Sequence, residues 1–174
     1  RQGLRALALE PVAIANGICF DPDGRGMYYC DSLQGRIMHV GYDAATATVS
    51  EPRVFAVIEG GAEPDGAVVD ADGRVWGAQW GAGQVVRYAA AGEVELRVPV
   101  PASQPTCVAF AGEDLGTLYV TSARDGLDAA ALHALPTSGG VFTAVLDGVR
   151  GRSSLRHSQA PQAGVAMTGK PKPC

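Results

Sequence analysis

Short apolar runs separated by Asp, Asn, Gly and Pro turns recur along the chain in a fixed order. The turns Asp21-Pro22-Asp23-Gly24, Asp70-Ala71-Asp72-Gly73 and Ala111-Gly112-Glu113-Asp114 can be aligned, and their flanks fall into register. Ile18-Cys19-Phe20, Ala67-Val68-Val69 and Val108-Ala109-Phe110 lie before the turns. Met27-Tyr28-Tyr29-Cys30, Val75-Trp76-Gly77-Ala78 and Leu118-Tyr119-Val120-Thr121 lie after them. Runs this short, rich in β-branched and aromatic residues and bounded by turn formers, predict strands joined in hairpins.

The first two repeats then run on alike. Gly35-Arg36-Ile37-Met38-His39-Val40 matches Gly83-Gln84-Val85-Val86-Arg87-Tyr88. A fourth strand is expected at Arg53-Val54-Phe55-Ala56-Val57 and at Glu93-Val94-Glu95-Leu96-Arg97-Val98. The second of these alternates apolar with charged residues, as an edge strand should. In the third repeat the pattern resumes at Gly139–Val145 after an insertion, Asp125 to Pro136, whose Leu127–Leu132 segment predicts a short helical turn. Leu4-Arg5-Ala6-Leu7-Ala8-Leu9 alternates like the outer strand of a preceding repeat. Four short strands per roughly 40–50 residues is the period of a β-propeller blade. The expected fold is therefore all-β, with about three blades in residues 1–151. Residues 152–174 lack a strand pattern and read as a disordered, basic tail. Three blades do not close a ring, so the chain is expected to be the C-terminal half of a larger propeller.

Composition adds few constraints. With 47% hydrophobic residues the chain can build a core. No apolar run is long enough to span a bilayer. The net charge of −4 is unevenly spread, since all 18 acidic residues lie before residue 148; so acidic a body argues against nucleic-acid binding. Cys19, Cys30, Cys107 and Cys174 form no CxxC pair and are expected to be buried thiols of a reducing, cytoplasmic compartment. A Cys19–Cys30 disulfide within one hairpin is the alternative. His39, His133 and His157 show no metal-binding spacing, and Gly60-Gly61 and Gly139-Gly140 lack the helix and Lys of a phosphate loop.

One repeated position carries candidate chemistry. Asn16, Asp65 and Thr106 stand at the start of the innermost strand of each repeat, 49 and 41 residues apart. Innermost strands line a propeller's channel, so these side chains are expected near one mouth. Asn and Asp oxygens suit a hard divalent cation. A local reading stands beside this one, since Asn-Gly and Asp-Gly are ordinary turn formers. Asp31, Gln79 and Ser122 are equivalent one strand further along. They either support the site from behind or satisfy backbone groups. The Asp23-Gly24 and Asp72-Gly73 turns are expected to be structural. Trp76 and Trp80 fit blade packing, with Trp80 placed to face the channel mouth.

The residues Asn16-Gly17-Ile18, Pro22-Asp23-Gly24 and Tyr28-Tyr29-Cys30-Asp31-Ser32 resemble the regucalcin/gluconolactonase family. So do Gly60-Gly61-Ala62-Glu63-Pro64-Asp65-Gly66, Asp70-Ala71-Asp72-Gly73 and Trp76-Gly77-Ala78-Gln79-Trp80. The likeness covers roughly residues 4–151. It implies a six-bladed propeller holding one divalent cation (Ca, Zn, Mg or Mn) and hydrolysing a sugar lactone. By the resemblance Asn16 is a metal ligand, and Asp65 is both a metal ligand and the catalytic acid/base. A third ligand, a Glu, and a substrate-binding Arg and Asn are implied upstream of Arg1. Asp21 departs from the family, which often has Ser there. The alternatives are a calcium-binding or interaction module without catalysis, and a truncated product without activity of its own. Neither the particular lactone nor the oligomeric state follows from the sequence.

Overall fold

The computed structural model describes residues 6–153. Three antiparallel sheets follow one another along the chain. The first contains β1 (Ala15–Phe20), β2 (Gly26–Asp31), β3 (Arg36–Asp43) and β5 (Arg53–Val57), with the short β4 (Thr48–Val49) paired to the end of β3. The second runs β6 (Glu63–Val69), β7 (Val75–Trp80), β8 (Gln84–Tyr88) and β9 (Val94–Pro99) in order. The third holds β10 (Pro105–Ala111), β11 (Thr117–Ser122) and β12 (Val141–Val145). The repeats read from the sequence are thus these sheets, each meandering outward from its first strand.

The turns form for the expected reason. Gly24 and Gly73 take φ of 71° and 76°, a left-handed conformation that glycine adopts without steric cost. Asp23 Oδ1 accepts the Arg25 backbone N–H at 2.9 Å and closes the first hairpin. The insertion in the third repeat carries α1 (Ala129–Ala134), whose N-cap Asp128 accepts the Ala131 N–H at 2.8 Å.

Burial reflects which faces of each sheet are covered. Tyr28, Ile37 and Phe55 of the first sheet pack against Val75, Val86 and Tyr88 of the second. The opposite face of the second sheet sends Trp76 and Val85 against Val108, Leu118 and Val120 of the third. The middle sheet is covered on both faces, which is why β7 is buried over five consecutive positions. By contrast, β9 is exposed along nearly its whole length, Val94 and Leu96 included, and stands at the edge of its sheet as expected. The outward faces of the end sheets are apolar: Val141 and Val145 of the third are 67% and 76% exposed, and Ile18 and Val57 of the first 63% and 62%.

Two expectations need correction. Residues 6–9 of the anticipated Leu4–Leu9 strand are not strand; Leu4 and Arg5 lie outside the described residues. Leu7 and Leu9 instead line a cleft with Ile18 and Tyr29 of the first sheet. Alternation favours a strand, but it serves equally a segment that lays one apolar side on a sheet. Cys107 is exposed, whereas Cys19 and Cys30 are buried. It sits outside both apolar cores, at the bulge of β10 beside Gly66, and lines a cleft with Ile18 and Ala67. Cys19 and Cys30 are both free, so the hairpin disulfide is not formed. Cys174 and the tail beyond Ser153 lie outside the described residues. Among those described, no helix is long and apolar enough to cross a membrane.

Candidate active site

The innermost strands β1, β6 and β10 all bend at the same place. Register shifts fall between Asn16 and Cys19, between Pro64 and Ala67, and between Pro105 and Cys107. A bulge re-aims the side chain beside it, and bulges are over-represented next to functional sites. In each strand the bulge sits on the repeated site position.

Glycine follows that position in the first two repeats because the strands approach closely there. A Cβ on Gly17 would lie 2.7 Å from the Asp65 carbonyl oxygen and 2.9 Å from Cys30 Sγ. One on Gly66 would lie 2.8 Å from the Thr106 carbonyl oxygen. The Asn-Gly and Asp-Gly pairs are therefore more than turn formers. Each glycine lets its strand rest on the site residue of the next sheet.

This approach brings Asn16 and Asp65 together. The Asn16 Nδ2 amide donates to Asp65 Oδ1, and Asn16 Oδ1 accepts the Gly17 N–H at 2.9 Å. Thr106 does not join them; its hydroxyl is engaged with Thr121 Oγ1 at 2.7 Å. The strand entering Asp65 is fastened from behind by the first sheet. Ser32 Oγ donates to the Pro64 carbonyl at 2.8 Å, and Cys30 Sγ reaches the same oxygen at 3.4 Å. Burial pushes the Cys30 thiol up to about 12, with the nearby Asp65 charge acting in the same direction. Cys30 is therefore a neutral donor and not a nucleophile.

Asn16 and Asp65 open onto a cleft of about 210 Å³ that Glu63, Ser32, Ile14 and Trp80 also line. No Lys or Arg lines it. The Asp65 carboxyl is raised above its ordinary value, chiefly because burial desolvates it. The Asn16 amide and the Gly66 N–H pull the other way, and Glu63 raises it further. Carboxylate and carboxamide oxygens in a cleft without a positive side chain are a donor set that fits a hard divalent cation. The described residues contain no group of three or more His, Cys, Asp or Glu able to hold a metal, so on this chain the fit rests on Asn16 and Asp65.

The second repeated set divides the same way in all three sheets: it satisfies local groups. Asp31 accepts the Ala13 and Ile14 N–H groups at 3.3 and 3.4 Å. Gln79 donates to Tyr88 Oη at 2.8 Å and accepts from Gln84 at 2.6 Å. Ser122 donates to the Gly140 carbonyl at 2.9 Å. None bonds Asn16 or Asp65. Glu63 was not singled out in the sequence, although the two-residue spacing to Asp65 along one strand was the signal that it shares that face.

The family model described as SMP-30/Gluconolactonase/LRE-like region matches residues 4–124. The chain belongs to this family. Among its relatives, the L-arabinolactonase of Azospirillum brasilense is 50% identical over 142 residues, covering 81% of this chain and 46% of that protein. Regucalcin of Bos taurus is 35% identical over 144 residues, covering 82% and 48%. A crystal structure of regucalcin from Agrobacterium tumefaciens, described as a calcium-binding protein, superposes with a TM-score of 0.76 at 41% identity, over 81% of this chain and 48% of that one. The chain thus spans about half the length of the relatives it matches. The meandering sheets are those of a β-propeller family whose members include sugar lactonases.

Proposed function

We propose that Asn16 and Asp65 form part of the active site of a metal-dependent sugar lactonase, and that this chain supplies about half of a six-bladed channel. The observation that carries the reading is the meeting of Asn16 and Asp65 across two sheets, at matching bulges, in a cleft without a cationic side chain. The lactonase names among the relatives supply the reaction class.

Asn16 would hold the cation through its carboxamide oxygen, turned from its present bond to Gly17, and Asp65 through a carboxylate oxygen. A bound divalent cation supplies charge that polarises an ester carbonyl. Asp65 takes a proton from the attacking water and returns it to the leaving ring oxygen, so the lactone opens to a hydroxy acid with protons balanced. Ser32 and Cys30 hold the Pro64 carbonyl and so keep Asp65 aimed into the cleft.

The test joins this chain to the part of the Azospirillum L-arabinolactonase that it does not match. Proton release is then followed on a panel of sugar lactones with Ca²⁺, Mg²⁺, Mn²⁺ or Zn²⁺. The hybrid is expected to hydrolyse at least one lactone, to lose activity on chelation, and to lose at least about a hundredfold with Asp65→Ala. The 174-residue chain alone is expected to show little activity. A folded hybrid that binds calcium but turns over no lactone would favour the non-catalytic, calcium-binding reading. Turnover unaffected by Asp65→Ala would remove Asp65 from the chemistry.

A further inference from the structure

The outermost strand of each sheet leads into the innermost strand of the next. β5, paired to β3, runs on to β6, and β9, paired to β8, runs on to β10. Two places in this order stand open. Among the described residues the third sheet stops at β12, whose outer edge has no strand paired to it. β1 is preceded by residues 4–9, which alternate in sequence as β9 does, yet residues 6–9 belong to no strand. The outward faces of the end sheets are open in the same way. Tyr28 and Cys30 of β2 pack toward the second sheet, and Trp76 and Ala78 of β7 toward the third. The matching residues of β11 are Tyr119 and Thr121, which face outward beside the exposed Val141. On the receiving side, Val75 and Leu118 are each buried against the preceding sheet. Their match on β2 is Met27, on the outer face of the first sheet with Ile18 and Tyr29. The third sheet thus offers the kind of face that the first sheet's outer side receives.

We propose that two copies of this chain close head to tail into one ring of six sheets. The third sheet of each covers the first sheet of the other, and residues 4–9 of each add a fourth strand to the partner's third sheet. The proposal names what completes the half-channel of the lactonase reading; it rests on that half-channel and not on the chemistry. Three sheets do not close a ring, whereas six do. The chain covers 48% of the Agrobacterium regucalcin structure, so two chains together match nearly the length of one such molecule. A head-to-tail contact repeated about a two-fold axis closes after two copies and leaves neither end face over. Both apolar faces leave water, and the edge groups of β12 find partners in the added strand. Leu7 and Leu9 now rest on the first sheet's outer face. In the pair that face takes the partner's third sheet, and the displaced segment gains a strand edge in exchange. Val145 matches Ala89, which stands outside the core between the second and third sheets, so it lies at the rim.

The experiment measures the mass of the 174-residue chain by sedimentation over about a hundredfold range of concentration. A dimer is expected, dissociating only toward the dilute end, with no larger species. Val141→Asp on the third sheet and Ile18→Asp on the first should each give monomers. Both side chains are exposed in the single chain, at 67% and 63%, so circular dichroism should show each variant folded. A chain beginning at Glu10 should dissociate at least about tenfold more readily than the parent. Backbone hydrogen exchange over residues 6–9 should be at least about tenfold slower in the dimeric parent than in Val141→Asp. The hybrid with the Azospirillum segment should be monomeric, because its upstream part takes both end faces. A parent that is monomeric at every concentration, or that grows into open-ended assemblies, would overturn the pair. So would a dimer that survives Val141→Asp and Ile18→Asp, or one unchanged by the loss of residues 1–9. None of these measurements involves a lactone or a cation. An active hybrid beside a monomeric parent therefore removes the pair alone, and a folded but inactive hybrid beside a dimeric parent removes the lactonase reading alone.

Discussion

Asp65 is a carboxylate whose charge its surroundings oppose. Burial disfavours ionisation and Glu63 adds repulsion, so the folded protein holds the proton more tightly than the ordinary value of 3.8 would imply. A raised carboxyl pKa contributes stability fully below the unfolded value, and that contribution is lost as pH rises through the folded value. In the cation-free chain, Asp65→Asn is therefore expected to raise the melting temperature slightly at pH 7 and to have no such effect near pH 3. Thermal melts in chelator at both pH values check this. Lower stability of Asp65→Asn at pH 7 would mean that the carboxylate is a structural anchor and not a group reserved for a positive partner. Gly17 explains why this residue can be approached at all. It sits at φ 59° directly over the Asp65 carbonyl, so its conformation and its missing side chain are both required by the same contact.

At the scale of strands and turns, the second hairpin hides a structural ion pair inside a turn motif. Asp70 is 0% exposed and accepts bonds from the Asp72 and Arg74 N–H groups, from the Trp76 indole and from Arg87, at 2.7 to 2.9 Å. Asp72 also touches Arg87, at 3.0 Å, but its side chain is 66% exposed. Removing one partner of a buried pair strands the other charge, whereas an exposed pair is worth little. Urea denaturation should show Asp70→Ala losing about 3–5 kcal/mol and Asp72→Ala less than about 1 kcal/mol. Equal losses would contradict this division. The contrast also shows what the sequence made legible. The repeat gave the strand order, the hairpins, the inserted helical turn and the matching Asn16 and Asp65 positions, because periodicity and turn chemistry are local. It did not show that Asp70 is buried while Asp72 is exposed, since both look like turn residues. Nor did it reveal that Thr106 would turn toward Thr121, or that Glu63 and Trp80 would pair across a strand. Those outcomes depend on register and on what covers a face. Residues 6–9 are not strand for the same reason: alternation records a preference, and what it packs against decides the backbone.

Across the whole molecule, the middle sheet is fully covered and the two end sheets each present an apolar face outward. The covered and open positions should respond differently to substitution. Leu118 is 0% exposed in the second core, and Leu118→Ala should cost about 2–5 kcal/mol. Val145 is 76% exposed, and Val145→Lys should change stability by less than about 0.5 kcal/mol. A large loss on Val145→Lys would mean that something covers the third sheet's outer face. The placement of the cleft belongs to this scale too: it lies where the first and second sheets converge, so neither sheet could form it alone. The account therefore turns on whether Asn16 and Asp65 act together on a cation. Calorimetric titration of Ca²⁺ into the chain tests this most directly, with Asn16→Ala and Asp65→Asn as comparisons. One calcium per chain is expected, with binding lost in Asp65→Asn and at least tenfold weaker in Asn16→Ala. No binding to the parent chain, or equal binding to Asp65→Asn, would contradict it.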